Sequence, residues 1–245
     1  MRILLRGLYP HAGVTTLALN LAARLSRMDG EVLYLSLQGY DAGRDALLNL
    51  PLDFKHETAS PGRKVSNDVL QVTPHLFVDL ATRERFIEAP QEFTAWLGRL
   101  DYTHLIIDAG AFVRDDAWLN AAIKKGLDDP LNHVITLCDP DMGSLLTLTR
   151  LFPKPVGEIV FNRFSPSSPA LNDLYEAAFM VLGEEKLLPV PLPYDEELTL
   201  SSLKGEILAL QNPHAPYVTA LGSLIKLLKT KPVTPGERLR ADASA

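Results

Sequence analysis

An α/β fold is predicted: a doubly wound, mostly parallel sheet of about seven strands with helices on both faces. Three observations predict it. Short leucine-rich or β-branched runs alternate with longer stretches of helical periodicity along most of the chain. The short runs are apolar at successive positions, as strands buried under helices on both faces require. The chain has 245 residues, 47% of them hydrophobic, which suits one large unit with a substantial core.

Strands are expected at 2–6 (RILLR), 31–36 (EVLYLS), 75–80 (HLFVDL), 103–108 (THLIID), 133–138 (HVITLC), 157–162 (GEIVFN) and 187–190 (LLPV). The first helix, 14–28, carries Leu17, Leu21, Leu25 and Met28 at spacings of four and three, one apolar stripe against a sheet. Further helices are expected over 41–49, 90–100, 114–126, 141–151, 168–182 and 215–230. Such alternation builds right-handed βαβ units. The last helix aligns Leu221, Leu224, Ile225 and Leu228 beside Lys226 and Lys229. With so few lysines and no Trp or Phe, it reads as a core-packing helix, not as a membrane-surface one.

Two segments interrupt the rhythm. Residues 54–68 are polar with Pro and Gly, and read as an exposed loop. Residues 231–245 are nearly devoid of apolar side chains and read as a disordered tail behind a single domain over 1–230. The formal net charge of −6 disfavours a nucleic-acid surface. One cysteine, Cys138, excludes an internal disulfide framework and any multi-thiolate zinc site, and it reads as a small core residue. The histidines show no ligand spacing, so no metal site is expected. No apolar run reaches the roughly 18 residues of a spanning helix, and the start of the chain is too short in apolar residues for a signal peptide. A soluble, cytoplasmic protein is expected.

The first strand runs into GLYPHAGVTT (7–16) and then into a helix. A phosphate-binding loop of the form GxxxxGK[ST] cradles phosphate with backbone N–H groups, neutralises it with lysine and holds Mg²⁺ through Ser or Thr. Aligned on Gly13, this chain has Val14 at the lysine position, Thr15 at the Mg²⁺ position and Leu8 in place of the first glycine. Pro10 removes a donor from the turn.

The chain resembles the ParA/MinD group of P-loop ATPases. That group's loop, KGGxGKT[T], falls on Tyr9 to Thr16, matching at Gly13, Thr15 and Thr16 and losing both lysines, the second being the signature lysine at Tyr9. EVLYLSLQG resembles the group's second strand, with Ser36 and Gln38 at its acidic positions. YTHLIIDAG resembles the Walker B strand and keeps its acid as Asp108. GEIVFNRF resembles the strand whose terminal asparagine, here Asn162, contacts the base, and VPLPYDEELTLSSLKGEIL resembles a late segment of the fold. Within the group, Gly7 to Thr16 fall without a gap on the lysine-poor loop of the cellulose-secretion BcsQ/YhjQ-like members, with Pro10 and His11 in place of a glycine pair.

The resemblance implies a vestigial nucleotide site made of Gly13, Thr15, Thr16, Asp108 and Asn162, with Thr15 and Asp108 as the candidates if Mg²⁺ binds. No catalytic residue is expected. Phosphoryl transfer depends on positioning and charge neutralisation, and a missing cation is worth on the order of a thousandfold in rate. No cofactor is expected to bind strongly; weak ATP/Mg²⁺ binding at the positive end of the first helix and an inherited, empty turn both remain open. Asp108 is either a metal-facing acid or a cap for its own turn, and Asn162 either contacts a base or ties down a loop. Asp141 in CDPDMG reads as a helix N-cap, not as half of a metal pair with Asp139. The functional expectation is a catalytically degenerate scaffold or regulator in bacterial exopolysaccharide (cellulose) biosynthesis and secretion. It would bind a secretion-complex subunit at the inner-membrane face, or form a homodimer, without touching nucleic acid or inserting into the membrane. The loop face, with Tyr9, His11 and Phe112, is the candidate contact surface; Phe112, Val113 and Trp118 follow the Walker B-like strand, where exposed aromatics would be interface anchors and Trp118 reads equally as core. The alternative is an active or weakly active ATPase that positions a pilus, chromosome or secretion machine.

Overall fold

A computed structural model describes residues 1–37, 69–79, 100–111, 133–151, 157–165, 168–183 and 186–230. The helices expected over 41–49 and 114–126, nearly all of 90–100, the loop 54–68, the tail 231–245, and Gln38, Phe112, Val113 and Trp118 lie outside them. Among the described residues, seven strands form one sheet: β1 (Arg2–Gly7), β2 (Val32–Ser36), β3 (Val69–Thr73), β4 (Leu76–Asp79), β5 (His104–Ala111), β6 (His133–Cys138) and β7 (Glu158–Phe161). Their spatial order is β3-β4-β2-β5-β1-β6-β7. All neighbours are parallel except β3 and β4. The order reverses on either side of β1, and such switch points are where open α/β sheets bind ligands, beyond the carboxyl ends of the strands.

Alternation along each strand sorts the core by face. Ile3, Leu5, Tyr34, Ile106, Ile135, Leu137 and Val160 pack with the helices α1 (Val14–Ser26) and α6 (Pro216–Thr230). Leu4, Leu33, Leu35, Phe77, Leu105 and Ile107 form a second cluster on the other face. A third gathers Leu8, Cys138, Ile159 and Phe161 under α2 (Met142–Leu151) and α3 (Pro169–Leu182). Leu17, Leu21 and Leu25 of α1 are fully buried as expected, whereas Met28 lies past the end of the helix and is exposed. Leu221, Leu224, Ile225 and Leu228 of α6 are buried in the core, as their stripe implied. Cys138 is a buried free thiol, pushed upward in pKa by burial.

The count of seven strands holds, but with one exchange. The run expected at 187–190 makes only an isolated bridge, Ile159 to Leu187, on the outer side of β7. Leu188 and Leu192 donate their N–H groups to Ile159 and Phe161. The intervening Pro189, Pro191 and Pro193 have no N–H to offer on the outward side, so pairing stops there. The seventh strand is β3, which forms an antiparallel edge with β4 across the turn at Pro74 and His75. β5 also runs three residues beyond the expected end, to Ala111.

Two further helices, α4 (Glu196–Leu203) and the single turn α5 (Leu208–Gln211), were not expected. Both are fixed by polar side chains. Asp195 caps α4 by accepting from the Glu197 N–H at 2.9 Å, and its other oxygen accepts from the Tyr217 N–H in the first turn of α6 at 3.0 Å. Asn20 of α1 accepts from the Ala209 N–H at 2.9 Å, while Arg27 donates to the Ala209 and Leu210 carbonyls. The imidazole of His133 bridges Glu158 of β7 at 2.9 Å and the Leu228 carbonyl of α6 at 3.0 Å. Gly157, before β7, has φ 99°, and a Cβ there would collide with the Val134 carbonyl oxygen.

Candidate functional site

Strand β1 delivers the turn 8–13 to the carboxyl edge of the sheet, at the switch point. Leu8 donates its N–H to the Leu137 carbonyl, which prolongs the β1–β6 ladder into the turn. The turn then reverses through His11, at φ 66°, and Gly13, at φ 91°. Gly13 is the N-cap of α1 and, having no side chain, supplies no side-chain cap. A side chain at Gly13 would strike Asn162, whose Nδ2 lies 2.6 Å from the Cβ position. Glycine is therefore demanded twice, by conformation and by space.

The interior of the turn is apolar. Leu8, Ala12 and Val14 are buried, at 5%, 1% and 6% exposure, and Val14 joins the main core cluster. A methyl group built on Gly7 would meet Val14 Cγ2 at 2.9 Å and Ala12 Cβ at 3.0 Å. At the lysine position, a valine packs inward.

Tyr9, at the signature-lysine position, is a strut. Its hydroxyl accepts from the Asp139 N–H at 2.9 Å and lies 3.3 Å from Ser144 Oγ. Ser144 Oγ donates to Asp141 Oδ2 at 2.8 Å, so the Tyr9 proton turns toward Ser144. Burial, the largest influence, pushes the phenol up to about 12. Asp141 accepts from the Ser144 N–H at 2.8 Å at the start of α2, the N-cap role its sequence position implied.

Asp108 is fully buried. Its Oδ2 accepts from the Tyr34 hydroxyl of β2 at 2.9 Å, and its Oδ1 accepts from the Gly110 N–H at 2.9 Å. These are the bonds that the turn-capping alternative calls for, made inside β5 instead of at its end. Ser36 pairs in register with Asp108 and is buried. Thr15 and Thr16 are half-buried on the first turn of α1, and the Thr16 carbonyl accepts from Asn20. Among the described residues, no group of three or more His, Cys, Asp or Glu could hold a metal ion.

From β7, Asn162 and Arg163 reach back to the turn. Asn162 Nδ2 donates to the Ala12 carbonyl at 2.9 Å, the loop-tying alternative. Its Oδ1 is buried and has no hydrogen-bond partner among the described residues. Arg163, with φ 58°, places Nε 2.8 Å and Nη2 2.6 Å from the two carboxylate oxygens of Asp139, and Nη2 donates to the His11 carbonyl at 3.2 Å. Asp139, the other acid of CDPDMG, is thus an arginine partner.

Gly13, Asn162 and the first turn of α1 therefore come together, with Arg163 beside them; Asp108 is engaged within the core. The arrangement fits a phosphate better than a metal. The helix start has no acidic residue in its first turn, whereas both oxygens of Asp108 already hold protein donors. Sequence reading missed Tyr34 as the partner of Asp108. The signal was present: a tyrosine inside an aliphatic strand needs a partner for its hydroxyl.

No family model matches the chain, and no curated protein matches it. Solved structures do. The septum site-determining protein MinD of Pyrococcus horikoshii OT3, complexed with Mg-ADP, is 19% identical with TM-score 0.66, over 94% of this chain and 97% of that one. MinD in the MinC:MinD cell division complex of Aquifex aeolicus is 15% identical with TM-score 0.65, over 94% and 96%. A plasmid partition protein of Borrelia burgdorferi B31 bound to AMPPNP is 15% identical with TM-score 0.64, over 94% and 99%. The fold is that of the MinD/ParA-type P-loop ATPases.

Proposed function

We propose that this chain is a catalytically degenerate ParA/MinD-like protein that acts by binding a protein partner. The observation that carries the reading is the buried, apolar Val14 at the lysine position, with Tyr9 pinned into the neighbouring α2 turn at the signature position. A triphosphate at such a loop keeps its charge unneutralised by lysine, and the cost of desolvating it is large. Gly13, Thr15, Thr16, Asp108 and Asn162 are the remnants of the nucleotide site. Nucleotide, where it binds, is held weakly and without strong use of Mg²⁺.

The partner is a subunit of a bacterial exopolysaccharide secretion complex of the cellulose type, met at the cytoplasmic face of the inner membrane. The support is the gap-free correspondence of Gly7 to Thr16 with the BcsQ/YhjQ-like loop. A fold of this kind takes protein partners elsewhere, as in the MinC:MinD complex, and its surfaces can outlast its chemistry. No described helix is long and apolar enough to cross a membrane; on this reading the partner supplies the contact with the membrane. The test is affinity purification of the tagged full chain from its native cell. Recovery of polysaccharide-synthase subunits supports the reading, and recovery of pilus or chromosome-partition components redirects it.

A second reading is a weak ATPase that positions a cellular machine. Mg-ADP and AMPPNP in structures of the same fold favour it. Under that reading Asp108 is needed for turnover.

A further inference from the structure

We propose that His133 and Glu158 form a proton-dependent latch that holds the last turn of α6 on the sheet. The latch lies at the amino edge of the sheet, where β6 and β7 begin, away from the turn 8–13, and it does not rest on the proposed function.

The donors and acceptors around the ring carry the inference. His133 is the first residue of β6 and is 5% exposed. Its Nδ1 lies 2.9 Å from Glu158 Oε2, and its Nε2 lies 3.0 Å from the Leu228 carbonyl oxygen. A carboxylate and a carbonyl both accept, whereas a neutral imidazole has a single N–H to give. Both contacts are hydrogen bonds only when the ring and Glu158 together hold one proton more than a neutral ring beside a carboxylate. Without that proton, one nitrogen presents a lone pair to an oxygen inside the fold, and burial makes the lost bond costly. Leu228 belongs to the last turn of α6, where carbonyls lack partners within the helix. A charged ring there caps one of them and faces the negative end of the helix dipole. Burial opposes the charge, and the carboxylate of Glu158, itself 13% exposed, offsets that cost.

A second histidine nearby shows the opposite arrangement. His104 begins β5, on the other side of β1. Its Nδ1 lies 3.1 Å from the Met1 amine, a donor, and its Nε2 lies 3.2 Å from the Asp29 carbonyl oxygen. One accepting and one donating nitrogen describe a neutral ring, and burial accordingly lowers its pKa. Asp29 also pairs with Lys229, the residue after Leu228. Among the described residues, Glu158 faces His133 from β7, β1 sets the uncharged Ile3 opposite it, and Lys226 of α6 is exposed. Asp29, Lys229 and the Met1 amine gather instead about His104. The end of α6 therefore has two ties, and only the one at His133 needs the extra proton. Losing that proton to solvent loosens the last turn while the buried stripe of the helix stays in place.

The test is nuclear magnetic resonance of the isotope-labelled full chain, wild type and Glu158→Gln. It reads the ring nitrogens of His133 and the amide exchange of α6 between about pH 6 and about pH 9. In wild type, exchange at Leu227 to Thr230 is expected to quicken about tenfold or more, relative to the last turn of α1, as the ring loses its second proton. In Glu158→Gln the carboxamide nitrogen donates to the bare Nδ1 while Nε2–H keeps its bond to Leu228, so these amides are expected to stay protected across the range. The proposal is overturned if the ring carries a single proton throughout, or if wild-type protection survives the loss of the second proton. It is equally overturned if Glu158→Gln loses protection as wild type does. Should Glu158→Gln not fold, the wild-type comparison of ring and amides decides alone. Neither readout involves nucleotide or a partner protein, so this inference and the proposed function fail separately.

Discussion

Asp195 gives each of its carboxylate oxygens to the start of a different helix, α4 through Glu197 and α6 through Tyr217. Loss of one N-cap costs about 1 kcal/mol, so Asp195→Ala should destabilise the protein by about 2 kcal/mol in urea denaturation. A loss no larger than a single cap would mean the two bonds do not act together. Tyr9 makes a second prediction at this scale. With its phenol held up at about 12, the ultraviolet tyrosinate signal of wild type and Tyr9→Phe should coincide up to about pH 11. A wild-type excess near pH 10 would mean the hydroxyl is not held by the α2 turn. Single residues were legible when their partners were local. Asp141 could be read as a cap because Ser144 lies one turn away, whereas the bond of Asp195 to Tyr217 and that of Tyr34 to Asp108 span 22 and 74 residues of the chain. Val14 was legible as a missing charge, but only the packing around Gly7 reveals that the space is filled by carbon.

Elements were readable where burial set the pattern and obscure where an edge did. Six expected strands appear within a residue or so of their places, save for the longer β5. The errors lie at the two margins of the sheet. On one, β3 is half-exposed and mixed in pattern, so periodicity gave no signal. On the other, 187–194 is apolar enough for a strand, yet its alternating prolines end the ladder. They also deny a further strand any donors, a device against edge-to-edge association. Pro189→Val, Pro191→Val and Pro193→Val combined should raise light scattering at high concentration without loss of helix content; unchanged scattering would leave the prolines without this role. A pH effect belongs to the joint between β5 and the end of α1. His104 faces the Asp29 carbonyl at 3.2 Å, and burial, the largest influence, lowers its pKa below 6.5. The fold therefore prefers the neutral ring. Its contribution is complete above about pH 6.5 and is lost as pH falls below that value, where the unfolded chain takes up the proton first. Melting temperature should fall between pH 7.5 and 5.5 more steeply in wild type than in His104→Gln, and equal slopes would remove His104 as the cause.

For the whole molecule, the proposed reading is that the fold has outlived its chemistry. The sheet order, shared in fold with MinD/ParA-type structures over nearly the full chain, places the turn 8–13 at the switch point of the sheet. On the proposed reading, the positions that would drive phosphoryl transfer there hold an inward valine, a tyrosine bonded into the α2 turn, and a serine beside an aspartate that is held by its own core. The fold was legible because it is written in dozens of buried positions. The site was only partly so, since the pairing of Arg163 with Asp139 and the orphaned Asn162 oxygen arise from the approach of β7 to the turn. The most direct measurement is steady-state phosphate release by the purified full chain with saturating Mg-ATP, alongside Asp108→Ala. Loss of catalysis predicts release at the background rate, the same for both proteins. Saturable release by wild type that disappears in Asp108→Ala would contradict the account.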